Sequence, residues 1–451
     1  MALVIVLVVL IIGSVLFHFL SPWYLTPLAS NWDTIDYTID ITFWVTGAVF
    51  VGINAFLAWC VWKFRHKPDQ RAEYEPENKK LEWWLTGLTA VGVVAMLAPG
   101  LFVWGQFVQV PDDAWQMEVV GQQWHWTYRF PGEDGQLGAT KAELVTEDNP
   151  FGMIAEDPAG QDDKLIYDPV VHIPSGEPMH ALLRSKDVLH NFAVPQFRVK
   201  MDLVPGLVSY VWLTPLEHGT YDILCEELCG VGHYTMRGRI KVESKEDFDV
   251  WLAAQPTFAE LQAKPAGDLV AGQAAYAVCS ACHGMQGEGN VAMNGPNLTS
   301  QSAWYLKRQI VAFKRGYRGT HEGDVYGQQM APMMATLVDE RAIDNVVAYI
   351  DSLPDQPVEQ TISGDVAHGQ EIFSEACAVC HGDYGGGIHA TNAPRLPGVD
   401  DWYLARQLQN FKAGIRGSHL EDKYGEQMSF MSKQLYTEEA INDVVAYINT
   451  L

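Results

Sequence analysis

The stretch CEELCGVGHYTM, which begins at Cys225, gathers four side chains that bind soft metal ions. Cys225, Cys229 and His233 alone would suit zinc, which accepts thiolate and imidazole ligands. Met236 favours copper instead, because copper accepts thioether ligands. Two thiolates on one loop can bridge a pair of copper ions, and an upstream His190 can complete the set if a β fold brings it close. The spacing therefore indicates a copper site that transfers electrons, with zinc as the alternative.

Two further cysteine pairs each belong to a C-x-x-C-H motif, which is the attachment signal for c-type haem. In such a motif both cysteines form thioether bonds to the porphyrin and the adjacent histidine binds the iron. The sequence therefore predicts two covalently bound haems. Their ligands are Cys279, Cys282 and His283 in the first motif and Cys377, Cys380 and His381 in the second.

The two haem motifs lie in an internal duplication with a constant offset of 98 positions. Repeats of this kind are copies of one structural unit. Both copies close with the sequence VVAYI, and both predict a helical cytochrome unit. The identical pairs outside the motifs are Pro296 and Pro394, Trp304 and Trp402, Tyr305 and Tyr403, Arg318 and Arg416, His321 and His419, and Met330 and Met428.

The sixth iron ligand has duplicated candidates in each unit. Met330 and Met428 stand 47 residues beyond the haem histidines. Small cytochromes c use a methionine at such a position, and its thioether raises the redox potential. We expect these two methionines to bind, because the units resemble dihaem cytochromes c with an M-x-x-M motif in which the first methionine is the ligand. The competing pairs are Met333 and Met431, as core packing, and His321 and His419, as bis-histidine ligands.

Three apolar stretches precede these motifs, at 3–20, 41–62 and 83–110. Each is long enough to span a membrane as a helix. The positive-inside rule makes the loop between the second and third stretch cytoplasmic, so the metal motifs lie outside. The first stretch is expected to remain as a helix, with an uncleaved signal peptide as the alternative. The basic residues of the loop are Lys63, Arg65, Lys67, Arg71, Lys79 and Lys80.

The length of 451 residues and the changes in sequence pattern along the chain indicate several domains. Alternating strand patterns between the last apolar stretch and the first haem motif predict a small β-barrel or sandwich. Two helical units follow, separated by a linker at 353–363. The predicted divisions are 1–25 for the extra helix, 26–112 for a helical hairpin, 113–256 for the β domain, 265–355 for the first cytochrome c domain and 363–451 for the second.

Residues 26–255 resemble subunit II of haem–copper cytochrome c oxidases, which carries the dinuclear copper centre CuA. The resemblance implies a cupredoxin-like all-β domain after a transmembrane hairpin. It also implies a magnesium site that the Glu227 carboxylate shares with subunit I. The copper ligands that the resemblance implies are His190, Cys225, Cys229, His233, Met236 and the backbone carbonyl of Glu227.

The resemblance assigns roles to two further residues. Trp124, in GQQWHWTYRF, matches an aromatic patch of the family through which electrons pass; the alternative is a strand with one aromatic face. Glu82 matches a glutamate near the mouth of a proton channel in subunit I. The family's Trp-Thr and Pro spacing is altered here, because Leu85 precedes Thr86 and Thr89 stands where proline is common. An interfacial carboxylate is therefore the alternative for Glu82.

These features together predict subunit II of a caa-type terminal oxidase with a fused dihaem cytochrome c, in a bacterial plasma membrane. Electrons would run from an external donor through both haems to CuA, and then past Trp124 to subunit I, where oxygen reduction drives proton pumping. The expected partners are subunit I, other oxidase subunits, lipid, and a donor that is either cytochrome c or a quinol-oxidising complex. The net charge of −25 argues against nucleic acid. A CuA subunit of a nitric oxide reductase, a dihaem peroxidase and a copper-delivery module are the alternatives.

Overall fold

A computed structural model of the chain describes residues 1–23, 25–68, 70–71, 74, 76–147, 149–263 and 267–451. Three long helices come first, two five-stranded sheets follow, and two helical units end the described chain. This order confirms the predicted multidomain class of apolar helices, a β domain and two all-α units.

The three leading helices are long and apolar enough to cross a membrane. Their mean hydropathies are 3.0, 1.8 and 1.9, and at most 6% of the residues in each apolar window are buried inside the chain. Exposed aliphatic and aromatic side chains on all sides suit lipid rather than water. The helices are α1 (Ala2–Leu20), α2 (Asp33–Lys63) and α3 (Lys79–Phe107).

The β domain consists of two sheets that enclose one hydrophobic core. One sheet has the strand order β3-β2-β1-β5-β8, and the other has the order β4-β10-β9-β6-β7. Trp126, Tyr128 and Phe130 project from β2 into the core and are almost fully buried. The strands are β1 (Trp115–Gln122), β2 (His125–Phe130), β3 (Lys164–Ile166), β4 (Val170–Pro174), β5 (Met179–Ser185), β6 (His190–Val194), β7 (Val199–Leu203), β8 (Ser209–Leu213), β9 (Gly219–Leu224) and β10 (Arg237–Glu243).

Polar contacts fix the β domain to the outer ends of α2 and α3. The Arg198 guanidinium pairs with both carboxylate oxygens of Asp36, at 2.6 and 2.9 Å. The Trp212 indole donates to the carbonyl of Gln106 at 3.1 Å, and the Tyr210 hydroxyl donates to that of Val108 at 3.0 Å. A two-point Arg–carboxylate pair fixes direction as well as distance. The sheets are therefore held at a defined height above the membrane helices.

The helical part begins with α4 and α5 and continues as two units of similar construction. In each unit the helix that carries or leads into the haem motif packs against the closing helix around a small apolar core. The helices are α4 (Lys245–Ala253) and α5 (Phe258–Gln262); α6 (Leu269–His283), α7 (Ala303–Lys314), α8 (Val325–Met330) and α9 (Glu340–Asp351) in the first unit; and α10 (Val366–Ile372), α11 (Ala378–His381), α12 (Asp401–Lys412), α13 (Lys423–Ser432) and α14 (Glu438–Ile448) in the second.

The two helical units exchange equivalent side chains across their interface. Arg416 of the second unit donates to the Tyr305 hydroxyl and to Gln309 of the first unit, both at 3.0 Å. Arg318 of the first unit reaches Tyr403 and Gln407 of the second, at 3.4 and 3.5 Å. The units are therefore related by an approximate twofold arrangement, as expected when two copies of one surface meet.

Candidate copper and haem sites

The loop 225–236, called the copper loop below, brings its soft ligand atoms together. The sulfur atoms of Cys225 and Cys229 lie 3.7 Å apart. The Cys225 sulfur lies 3.2 Å from the carbonyl oxygen of Glu227, and the Cys229 sulfur lies 3.8 Å from the Met236 sulfur and 3.4 Å from Nδ1 of His233. Both thiols, one thioether, one imidazole and one carbonyl therefore converge on one small volume.

His190 joins this cluster from the start of β6. Its Nδ1 lies 4.0 Å from the Cys225 sulfur, and His190, Cys225 and Cys229 form a group that could hold a metal ion. The other ring nitrogen of His190 lies 2.7 Å from a carboxylate oxygen of Asp187. A carboxylate on one ring nitrogen fixes the tautomer and orients the other nitrogen toward a metal. Sequence reasoning named His190 but missed Asp187, which stands only three positions earlier.

The electrostatics of Asp187 and His190 agree with that role. Burial alone would raise the pKa of Asp187, but hydrogen bonds from His190 and from the amides of Gln123 and Val188 outweigh burial and lower it. Burial alone would lower the pKa of His190, but hydrogen bonds and charge interactions with Asp187 and Cys225 together outweigh burial and raise it. The carboxylate thus stays ionised and holds the ring in place.

The two cysteines of the copper loop differ in acidity. A hydrogen bond from the Cys229 thiol, followed by contacts with His190 and backbone groups, lowers the pKa of Cys225 to about 3. The same interaction and burial raise the pKa of Cys229. A low-pKa thiolate is the form that binds metal. The protein alone therefore provides one thiolate, and a bound cation would favour deprotonation of the second.

Each C-x-x-C-H histidine is fixed by a backbone carbonyl. Nδ1 of His283 lies 2.7 Å from the carbonyl oxygen of Pro296, and Nδ1 of His381 lies 2.8 Å from that of Pro394. Nδ1 must carry the proton to donate there, so the opposite nitrogen is left as a neutral ligand. Burial lowers the pKa of both histidines, which favours the neutral imidazole. The duplicated prolines are thus part of both sites.

A continuous cavity of about 980 Å³ runs through both helical units. The C-x-x-C-H residues of both motifs line it, as do Met330 and Met428. The Nε atoms of Arg318 and Arg416 also lie there, buried and without a hydrogen-bond partner among the described residues. A haem carries carboxylates that would satisfy such guanidinium groups, so the cavity suits two haems in charge as well as in size.

The histidine candidates for the sixth ligand do not line the haem cavity, whereas Met333 and Met431 line it together with Met330 and Met428. His321 and His419 line a separate, smaller depression. Nδ1 of His321 accepts from the amide of Gly323 at 3.0 Å, and Nδ1 of His419 accepts from that of Glu421 at 3.1 Å. Each histidine is thus occupied by its own turn, whereas Met330 and Met428 face the haem cavity.

Trp124 lies between the second helical unit and the copper loop. Its indole Nε1 donates to the carbonyl of Cys229 at 3.0 Å, and its own carbonyl accepts from the Gln427 side chain at 2.6 Å. The ring lines the haem cavity and packs so closely on the copper loop that a Cβ at Gly232 would stand 2.3 Å from it. These contacts place Trp124 between the haem cavity and the copper ligands, whereas the predicted order has electrons pass Trp124 after copper.

Glu82 and Glu227 occupy positions that other subunits could reach. Glu82 lies exposed in the first turn of α3, which Asn78 caps by accepting from the amide of Leu81 at 3.1 Å. Glu227 is partly exposed beside the copper ligands.

Sequence reasoning missed the residues through which the parts meet. Gln427 reaches Trp124, Asn392 donates to the carbonyl of Tyr167 at 2.9 Å, and His389 stacks on Trp304 with ring centroids 4.6 Å apart. Some interface residues were visible in the sequence as members of the duplication, namely Arg318, Arg416, Tyr305, Tyr403 and Trp304. The others become recognisable only in three dimensions.

Comparison with known families agrees with these sites. Residues 115–244 match the family described as cytochrome C oxidase subunit II, periplasmic domain. Residues 269–354 and 366–451 each match the family described as cytochrome c. The first match implies CuA copper in the β domain, and the second implies c-type haem in the helical units.

Individual known proteins are similar to parts of the chain. The alternative cytochrome c oxidase subunit 2 of Bradyrhizobium diazoefficiens is 54% identical over 266 residues, which are 59% of this chain and 96% of that protein. Cytochrome c oxidase subunit 2 of Cereibacter sphaeroides is 28% identical over 235 residues, which are 50% of this chain and 77% of that protein. The solved structure of cytochrome c4 from Pseudomonas stutzeri is also similar to this chain, with 28% identity and a TM-score of 0.34. The similarity covers 41% of this chain and 100% of the cytochrome c4 chain.

Fold and sites together define a membrane-anchored redox subunit with a copper domain outside the membrane. The chain belongs to the cytochrome c oxidase subunit II family and carries a c-type cytochrome region fused after its copper domain. It is thus part of a haem–copper oxidase complex, in which subunit II associates with subunit I.

Proposed function

We propose that the chain receives electrons from an external donor and passes them through two c-type haems to a dinuclear CuA centre and on to subunit I. Subunit I would then reduce oxygen to water with coupled proton pumping, in a bacterial plasma membrane with the soluble domains on the periplasmic side. The observation that carries this proposal is Trp124, which contacts the copper loop through its indole and the second helical unit through its carbonyl.

The number of soft donors supports a pair of copper ions rather than one. Two thiolates can each bind both ions, and four terminal donors then remain, which gives each ion four ligands. A single tetrahedral ion would leave two of these six donors without a role. The terminal donors would be the imidazoles of His190 and His233, the thioether of Met236 and the carbonyl of Glu227.

The haem ligands would be the C-x-x-C-H residues together with Met330 and Met428. When bound, the haems and the copper pair each accept and release one electron at a time. The chain supplies the rest: His283 and His381 are oriented by carbonyls, the methionines face the cavity, and Arg318 and Arg416 offer buried positive charge between the units.

The contacts favour a relay in which the first unit feeds the second and the second feeds copper. The second unit touches the copper domain beside its haem motif, since the Cys380 sulfur lies 4.0 Å from the carbonyl of Gln123. Val379 and Met431 pack against the hydrophobic core of the copper domain. Trp124 then continues from this contact to the carbonyl of Cys229.

Several roles at the membrane rest on the family resemblance. The cytoplasmic basic loop supports the outward placement of the metal domains. Glu82, at the cytoplasmic end of α3, would stand near proton uptake in subunit I, and Glu227 would share a magnesium ion with that subunit. The donor would be a cytochrome c or a quinol-oxidising complex.

A cofactor inventory of the purified complex tests this proposal. We expect two copper ions and two acid-resistant haems per chain, a far-red methionine–iron(III) absorption band, and oxygen uptake with a reduced donor. Zinc or a single copper in mature protein would contradict the dinuclear site. Absence of the far-red band would favour histidine ligation, and turnover of nitric oxide in place of oxygen would assign the complex to a different class.

A further inference from the structure

The surface of the second unit that meets the copper domain is defined by its contacts. Val379 and Met431 pack on the copper domain's core, Gln427 donates to Trp124, Phe430 approaches the Tyr234 ring at 6.3 Å, and the carbonyl of Ala390 accepts from His125. This surface, called the docked face below, consists of Val379, Ala390, Gln427, Phe430 and Met431.

The duplication gives the first unit an equivalent surface, and that surface is exposed. Subtracting 98 from each position of the docked face yields five residues that are all solvent-exposed. None of them carries a charge, and four are apolar. This surface, called the free face below, consists of Ala281, Ala292, Gln329, Pro332 and Met333.

Neighbouring apolar side chains enlarge the free face around the haem cavity. Met293 is 51% exposed and Val278 is 44% exposed, whereas Thr391, the counterpart of Met293, is 5% exposed. Val278, Met293 and Met333 line the cavity together with Cys282. A contiguous apolar surface of this kind, beside a cofactor site, is typical of a protein interaction site.

We propose that the free face is the docking surface for the external electron donor, a soluble electron-carrier protein whose cofactor edge lies within an apolar surface. This inference rests on the proposed electron-transfer function. The docked face shows what such a surface binds, because its occupant is a redox domain of the same chain. The small, uncharged contact suits a brief encounter, since electron-transfer complexes bury the least area among specific interfaces.

Docking at the free face would deliver one electron at a time. The reduced carrier loses one electron and the first unit gains it, and no bond forms or breaks. The same face is covered in the second unit, so the carrier reaches the relay at the first unit. Release then follows readily, because few contacts must be broken.

The test replaces Ala292 in the intact complex with a charge of either sign, as Ala292→Lys and Ala292→Glu. The probes are a reduced soluble cytochrome c and a small-molecule reductant, ascorbate with tetramethylphenylenediamine. A charge in an apolar contact must be desolvated whatever its sign, so both variants should lower kcat/KM with cytochrome c about fivefold or more relative to kcat/KM with the small reductant. The matched control is Val270→Lys. Val270 is 78% exposed and lies on α6, twelve residues before Cys282.

The possible outcomes separate the docking surface from the underlying function. Opposite effects of lysine and glutamate would overturn the proposal, because they would show long-range charge attraction without apolar contact. Equal kcat/KM ratios in all variants would place the donor elsewhere. A change from dimer to monomer in sedimentation, with unchanged ratios, would show that a second copy covers this face. Failure of the unaltered complex to consume oxygen with the small reductant would contradict the proposed function itself.

Discussion

The two c-type units are alike at their haem sites and different at their surfaces. In both, a proline carbonyl orients the haem histidine, a methionine faces the cavity, and an arginine crosses to the other unit. The second unit, however, is docked on the copper domain, whereas the equivalent face of the first is exposed. The geometry of the haem sites is thus shared, and in the proposed relay the surface decides which copy receives electrons and which delivers them.

The covalent connection lowers the affinity that the contact between the second unit and the copper domain must supply. A linked module binds at an effective concentration on the order of mM, so a weak surface is enough to keep it docked. The first unit has to meet a separate partner and to release it again. One duplicated surface can therefore serve both purposes without any change in the haem site.

Replacement of a cysteine in the copper loop should give the largest effect on oxygen uptake. It should also make the two c-type units alike in their level of reduction. Cys229→Ser removes one of the two thiolates proposed to bind copper, so oxygen uptake should fall about 100-fold or more and both units should stay reduced under a steady supply of electrons. Stopped-flow absorption of the c-type haems measures this. Cys60→Ser, which alters the cysteine in α2, is the control and should retain activity.

Replacement of Trp124 should slow transfer only from the second unit onward. Trp124→Leu removes both the indole and its hydrogen bond to the Cys229 carbonyl, and oxygen uptake should fall about 10- to 100-fold. Trp124→Phe keeps a ring but loses the hydrogen bond. Its oxygen uptake should lie between that of the unaltered complex and that of Trp124→Leu. Unchanged turnover in both variants, with copper content intact, would mean that electrons reach copper by another route.

The interface arginines should behave as equals, because the units are alike there. Arg416→Leu and Arg318→Leu each leave buried hydroxyl and amide groups without a partner, so each should lower the free energy of unfolding by about 1–3 kcal/mol. Each should also lower the redox potentials of the haems. A buried positive charge stabilises the reduced haem, and each substitution removes one such charge. Thermal unfolding and redox titration measure both effects. A large effect from one arginine alone would contradict the twofold arrangement.

The smallest effect concerns a pair that exists in the second unit alone. His368 contacts Asp443 at 2.8 Å, and the counterparts in the first unit are Val270 and Asn345. The hydrogen bond to Asp443 raises the pKa of His368, so its stabilisation is fully present below the ordinary histidine pKa and is lost as pH rises through the raised value.

His368→Val should therefore lower the Tm of the second unit by at most about 2 °C at pH 5, and by less at pH 9. Val270→Ala provides the matched change at the equivalent place in the first unit and should show no dependence on pH. Differential scanning calorimetry at the two pH values measures the effect. A loss in Tm that grows toward alkaline pH would have the wrong sign for this pair.

The sequence predicts those features that depend on local spacing. The C-x-x-C-H motifs, the copper loop and the three apolar helices are contiguous, so their types and order follow from the residues alone. His190 could be named only on the condition that a β fold brings it close, because it lies 35 positions before Cys225 and reaches the cluster through the packing of β6. Asp187 could have been recognised locally, because it stands three positions before His190.

The position of Trp124 relative to the haems could not be predicted. Its partner Gln427 lies 303 positions later, and Asn392 lies 225 positions after Tyr167. Contacts across such separations depend on how whole domains pack, and no periodic pattern records them. The predicted order puts Trp124 after copper, and its contact with the second unit becomes visible only through inter-domain packing.

The most direct test removes the haem attachment from one unit at a time with matched substitutions. Cys279→Ser with Cys282→Ser disables the first unit, and Cys377→Ser with Cys380→Ser disables the second; the oxidised complex is then mixed with a small reductant and copper reduction is followed in time. The account predicts rapid copper reduction without the first haem and slow copper reduction without the second. Equal rates, or the reverse order, would contradict the claim that the second unit alone delivers electrons to copper.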